Sequence, residues 1–216
     1  MSSSLVAGAD RYIYQPLLPE RKQIRLIHLK HISKQDDGLR NTPVECTMEM
    51  FDLGDAPPFT ALSYVWGPPE PKRRIFIDSQ IFTVRINLFQ FLQEFRRMPP
   101  DPDVNSKPGD DDWLWIDQMS IDQSNRSERG HQVKMMKDVY STASSVIAWL
   151  GDGSRPVNWK PDGTAKNEYQ AALAYEANPP HRNILEEILI NTYFSRLWIV
   201  QEVLLATKIR FLLRDL

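Results

Sequence analysis

The sequence predicts a three-layer α/β domain with a central, largely parallel sheet, antiparallel strands on its N-terminal side and a hairpin inserted after the first core strand. Three observations predict it. Apolar runs at 59–66, 114–116 and 145–150 stop at Gly67, Asp117 and Gly151, as short parallel strands buried on both faces do. Between the last two runs, Val133, Met136, Tyr140 and Ala143 recur at roughly helical spacing behind Ser127 and Glu128, an N-cap candidate followed by an acid in the first turn. That crossover is expected to be a helix. Upstream, two segments alternate apolar with polar side chains, the pattern of half-buried antiparallel strands.

Taken in order, residues 1–21 form an N-terminal extension, and 22–32 (KQIRLIHLKHI) and 43–51 (PVECTMEMF) are the alternating strands. The second places Val44, Cys46, Met48 and Met50 on one face. FTALSYVW at 59–66 is rich in β-formers and ends at Gly67-Pro68-Pro69. RIFIDSQIFTV at 74–84 reads as two short strands turning at Asp78-Ser79, the inserted hairpin. Leu88, Phe91, Leu92 and Phe95 stripe a helix over 87–97, which Pro99 and Pro100 end. Residues 99–112 combine four prolines, a glycine and five aspartates and are expected to be a loop, as are 152–164. Helices are expected over 166–177 and within 182–206, and a last strand from Ile209 to Leu213.

A chain of 216 residues with 42% hydrophobic content can bury a sizeable core as a single domain. Net charge is −2 and no basic cluster stands clear of acidic neighbours, which argues against nucleic acid as a partner. One cysteine, Cys46, excludes an internal disulfide and a multi-cysteine zinc site, and reads as a small hydrophobe on a strand. His28 and His31 show the one suggestive histidine spacing, and a strand points their rings to opposite faces, so no metal is expected. There is no apolar run of roughly 18 residues to span a membrane and no secretory leader in MSSSLVAGADRY, so the expected location is cytoplasmic. Gly-x-Ser-x-Gly, Walker and Gly-x-Gly-x-x-Gly motifs are missing, and no resident cofactor is expected.

In an open parallel sheet, ligands bind outside the carboxyl ends of the strands, and right-handed crossovers bring those ends to one edge. Trp66-Gly67, Asp117-Gln118 and Gly151-Asp152 would meet there. The substrate-binding candidates are therefore Ser63, Tyr64, Trp66, Gly67, Asp117 and Gln118, with Arg126 at the start of the crossover helix. Trp66 could line a pocket or fill the core. Asp117 and Asp122 could orient a ribose, hold an ion or cap the helix that follows. Arg126 and Arg129 could meet phosphates beside free backbone N–H groups or lie in solvent, with Glu128 pairing one of them.

Four ordered blocks carry a family resemblance: ALSYVWG at 61–67, LWIDQMSIDQ at 114–123, SERGHQVKMMKDVYSTASSVIAWLG at 127–151 and FSRLWIVQEVLLA at 194–206. From about Tyr14 to Ile209 the chain resembles the HET domain of fungal heterokaryon-incompatibility proteins. One block departs from the family's usual pattern, with Ser120 and Asp122 where a cysteine and an asparagine are usual, so a nucleophilic role for that cysteine is excluded.

The resemblance implies a fungal self/non-self recognition domain whose activation triggers cell death, with self-association and another incompatibility protein as partners. It further implies a TIR-like, flavodoxin-like fold. Some TIR domains hydrolyse NAD with a glutamate that follows a tryptophan on a helix, and SRLWIVQE at 195–202 is similar to that pattern. Trp198 would be a substrate-binding wall and Glu202 the catalytic acid, one helical turn apart on the same face. A fixed carboxylate there would stabilise the positive charge that develops on ribose as the nicotinamide bond breaks. NAD enters as substrate. The alternatives are a helix-surface Glu202 paired with Arg196 or Lys208, a Trp198 that packs the core, and a non-catalytic module that self-assembles through the loop at 118–126.

Overall fold

The computed structural model describes residues 9–30, 42–98, 113–151, 191–195 and 199–213. The expected loops at 99–112 and 152–164, the helix expected over 166–177 and Trp198 lie outside the described residues.

Eight strands form one mixed sheet among the described residues: β1 (Gln23–Leu29), β2 (Glu45–Asp52), β3 (Thr60–Tyr64), β4 (Lys72–Ile77), β5 (Gln80–Arg85), β6 (Trp113–Trp115), β7 (Ser145–Trp149) and β8 (Ile209–Leu212). Their spatial order is β5-β4-β2-β1-β6-β3-β7-β8. Strands β6, β3, β7 and β8 are mutually parallel. Strand β3 is the hub, since Thr60 faces Leu114 on one side and Ser145 on the other. Every residue of β3 and β7 is buried, in agreement with the apolar runs that predicted them.

β1 joins antiparallel to β6 and to β2, and β2 pairs in parallel with β4 of the hairpin. The N-terminal strands and the hairpin thus extend the same sheet, a continuity the sequence did not signal. The hairpin turns at Asp78-Ser79 as expected, both residues at positive φ (49° and 65°), which matches the twist of a two-residue turn. Residues 10–12 add to its free edge through Tyr12 N–H to Ile81 O (3.0 Å) and Ile81 N–H to Asp10 O (2.8 Å).

Helix α1 (Ile86–Phe95) buries its predicted stripe, Leu88, Phe91, Leu92 and Phe95, against Leu62, Tyr64, Ile147 and Trp149 on one face of the sheet. Helix α3 (Arg126–Thr142) buries Met135, Met136, Val139 and Tyr140 against Ile24, Leu26, Ala61 and Val146 on the other. A short helix, α2 (Asp117–Ser120), follows β6, and α4 (Ile199–Leu204) precedes β8.

Three local expectations are corrected. Asn125, not Ser127, caps α3, its Oδ1 accepting from Ser127 N–H and Glu128 N–H (both 3.1 Å). The buried stripe runs through Gln132, Met135, Met136, Val139 and Tyr140, which leaves Val133 at its margin, 37% exposed. Met50, expected on one face with buried Val44 and Cys46, is 40% exposed near the far end of β2.

Candidate functional site

The parallel strands deliver the ends of β3, β6 and β7 to one edge of the sheet, as the sequence argument required. Asn87, in the first turn of α1, ties two of them together. Its Nδ2 donates to Val65 O (2.5 Å), and its Oδ1 accepts from Trp149 Nε1 (2.8 Å). Trp66 Nε1 donates to Asp117 Oδ2 (2.7 Å), which links the end of β3 to the end of β6. Asp117 Oδ1 accepts from Gln118 N–H (2.7 Å), so the carboxylate is held by its own backbone while it fixes the indole.

Arg85, the last residue of β5, completes this cluster. Its Nη1 donates to Gly67 O (2.6 Å), its guanidinium lies 4.9 Å from the Trp66 ring centroid, and its backbone N–H reaches Gln118 Oε1 (3.1 Å). Gly67 sits at φ +70°, a left-handed conformation that glycine adopts without a Cβ penalty. Trp66, Gly67, Asp117 and Gln118 are therefore brought together. Tyr64 is not among them, being buried beneath α1. Arg126 lies exposed on the first turn of α3.

Ser120 and Asp122 both serve the backbone. Buried Ser120 accepts from Ile116 N–H through Oγ (3.1 Å), and Asp122 Oδ1 accepts from Ser124 N–H (3.0 Å) and Ser124 Oγ (2.6 Å). The partner expected for Glu128, a neighbouring arginine of its own helix, is corrected. Glu128 pairs with Arg25 of β1, and its Oε1 also accepts from Asp122 N–H (2.8 Å). Arg25 Nη1 further reaches Ser120 O (3.0 Å), and Nη2 reaches Gln15 O (2.5 Å). A lone arginine inside an apolar run was the available signal, and the alternation argument passed over it.

Glu202 is 1% exposed on α4. Its Oε2 accepts a hydrogen bond from Ser63 Oγ, at the penultimate position of β3. Ser63 Oγ is also 2.7 Å from the Tyr193 hydroxyl. With Ser63 donating to the carboxylate, Tyr193 donates to Ser63, and the three form a buried relay. Tyr193 is placed by Asn191, whose Oδ1 accepts from Tyr193 N–H (2.9 Å) and whose Nδ2 donates to Leu150 O (2.9 Å) beyond β7. Burial overturns the reading of Glu202 as a helix-surface acid. Sequence reasoning missed Tyr193, which carried no motif of its own.

A cavity of about 530 Å³ opens where residues 11–14, the hairpin and the loop after β6 converge, and Trp66, Arg85 and Gln118 line it. Glu202 and Ser63 are not among its lining residues. No group of three or more His, Cys, Asp or Glu among the described residues is placed to hold a metal ion. No helix among them is long and apolar enough to cross a membrane.

The described residues thus form a mixed α/β sheet with polar and aromatic groups gathered at the ends of its parallel strands. The profile of the heterokaryon incompatibility protein (HET) family matches residues 59–202, from the residue before β3 to Glu202, and the chain belongs to that family. It is 30% identical over 136 residues to heterokaryon incompatibility protein 6, OR allele, of Neurospora crassa, an alignment covering 59% of this chain and 18% of that protein. No solved structure matches the chain.

Proposed function

We propose that this chain is an incompatibility domain acting in fungal self/non-self recognition and cell death, and that it does so by TIR-like hydrolysis of NAD to nicotinamide and ADP-ribose. The observation that carries the chemical part is the Glu202 carboxylate, buried and in contact with the Ser63 hydroxyl near the carboxyl end of the central strand. In the reaction, the bond between ribose C1′ and the pyridinium nitrogen breaks and its electron pair leaves with neutral nicotinamide. The ribose is left with oxocarbenium character, which a dry, fixed carboxylate stabilises far better than water does. Water then adds at C1′ and loses a proton.

Ser63 and Tyr193 act as positioning residues that hold the carboxylate in one rotamer. On this reading the domain acts in the cytoplasm and becomes active on assembly with itself or with a second incompatibility protein. The competing reading, a non-catalytic self-assembling module, is favoured by the exposure of residues 124–127 ahead of and within the first turn of α3.

The test incubates the purified chain with NAD, alone and fused to an oligomerising coiled coil, and follows free nicotinamide. Release above the rate of a buffer control, rising on fusion, is the expected result. Its absence in both forms contradicts the enzymatic reading and leaves the assembling module.

A further inference from the structure

We propose that the cavity beneath the N-terminal segment is a binding site for a nucleoside diphosphate, built from parts that the Glu202 relay does not use. Its volume, about 530 Å³, falls in the range of roughly 300–1,000 Å³ typical of small-molecule sites. Its wall has two chemistries. Tyr14, Trp66 and Phe82 supply aromatic surface, and Arg11, Lys72 and Arg85 supply positive charge. A purine with a short phosphate chain presents the matching pair, a planar ring and a compact anion.

The charge balance is local. Three cations face the cavity against one acid, Asp122, in a chain whose net charge is −2. Asp122 is already committed, its Oδ1 accepting from both the backbone and the hydroxyl of Ser124. Among the described residues Lys72 pairs only with exposed Glu70 (3.3 Å), a solvated contact that an incoming phosphate can outcompete. Arg11 has no ion-pair partner among the described residues, and Arg85 spends Nη1 on Gly67 O while its remaining N–H donors stay open there.

The aromatic wall is preorganised. Asp117 holds the Trp66 indole N–H and Arg85 covers the ring, so neither rotates on binding. Tyr14 is pinned by its hydroxyl to Met119 O (2.8 Å) and meets Phe82 edge-on at 6.1 Å. Gln118 uses its carbonyl oxygen on Arg85 N–H, leaving its amide NH₂ as a donor for the ligand. The N-terminal segment is thereby a wall of a site, beyond its packing on the hairpin edge.

Equilibrium binding of ADP, adenosine and inorganic phosphate to the full chain tests this without any turnover. ADP is expected to saturate, with adenosine and phosphate each bound at least about tenfold more weakly. The double substitution Arg11→Ala with Lys72→Ala, both exposed side chains, is expected to weaken ADP by about tenfold. The charge control Lys22→Ala, far from the cavity, is expected to leave binding unchanged. Three results overturn the proposal: no saturable ADP binding at millimolar concentration, phosphate binding as tightly as ADP, or equal loss in the Lys22→Ala control. None of them bears on nicotinamide release, so this proposal and the Glu202 reading fail separately.

Discussion

Arg25 and Glu128, 103 residues apart, form a bidentate ion pair with Nη1 to Oε1 at 2.6 Å and Nη2 to Oε2 at 3.1 Å, both side chains almost wholly buried. The pair fastens β1 to the start of α3. Through Ser120 O and Asp122 N–H it also holds the end of α2, the helix that carries Asp117 and Gln118. Tyr14 lies against the guanidinium, 4.8 Å from ring centroid to Cζ, which keeps water from screening the charges.

Removing one member of this pair strands the other charge in a dry interior. Arg25→Ala is expected to cost about 3–5 kcal/mol of stability, measured by urea unfolding. The double substitution Arg25→Met with Glu128→Leu is expected to cost less than Arg25→Ala, because no charge is left behind. A single substitution within about 0.5 kcal/mol of the native chain would show that the pair is solvated.

Asn87 joins the ends of β3 and β7 with one amide, so its loss leaves two groups unpaired. Asn87→Ala orphans the Trp149 indole N–H and the Val65 carbonyl, for an expected cost of about 1–3 kcal/mol by the same measurement. Asn87→Asp retains an acceptor for Trp149 but sets a second acceptor against the Val65 carbonyl, and is expected to be no more stable than Asn87→Ala. Equal stability of all three chains would contradict the bridge.

Cys46 offers a test by pH. Burial pushes its thiol up to about 12, with the nearby Asp78 charge adding to the rise. In the unfolded chain a cysteine ionises near about 8.5. Between those values the unfolded state releases a proton that the folded state keeps, so this group's contribution to stability is full below about pH 8 and declines as pH rises toward 12. Alkylation at pH 8 is expected to be slow in the native chain and fast in denaturant. Rapid native labelling would place the thiol at the surface.

How much of this was legible in the sequence depended on periodicity. The apolar runs of β3 and β7, the stripe of α1 and the Asp78-Ser79 turn each rest on local spacing, and each is found where expected. The clustering of Trp66, Gly67, Asp117 and Gln118 followed from parallel topology alone. The elements that fix them did not, because Arg25, Arg85 and Asn87 act across long separations that no local pattern encodes. The cap of α3 was misplaced by two residues because Asn125 and Ser127 are equally good capping types, and only the fold decides between them. The residues at 120–123 carry the motif but serve local structure: Ser120 and Asp122 satisfy backbone groups, and Gln123 Nε2 donates to Asp117 O (2.8 Å).

The central claim rests on Glu202, and a single substitution addresses it. Glu202→Gln keeps the size of the side chain and an acceptor for Ser63 Oγ while removing the negative charge. Nicotinamide release from NAD is measured for the native chain and the variant, both fused to the same coiled coil and both checked for folding by urea unfolding. The account predicts that the variant folds and that its release falls by at least about a hundredfold, the scale of a lost electrostatic contact to a developing charge. Equal release by a folded Glu202→Gln chain would contradict it.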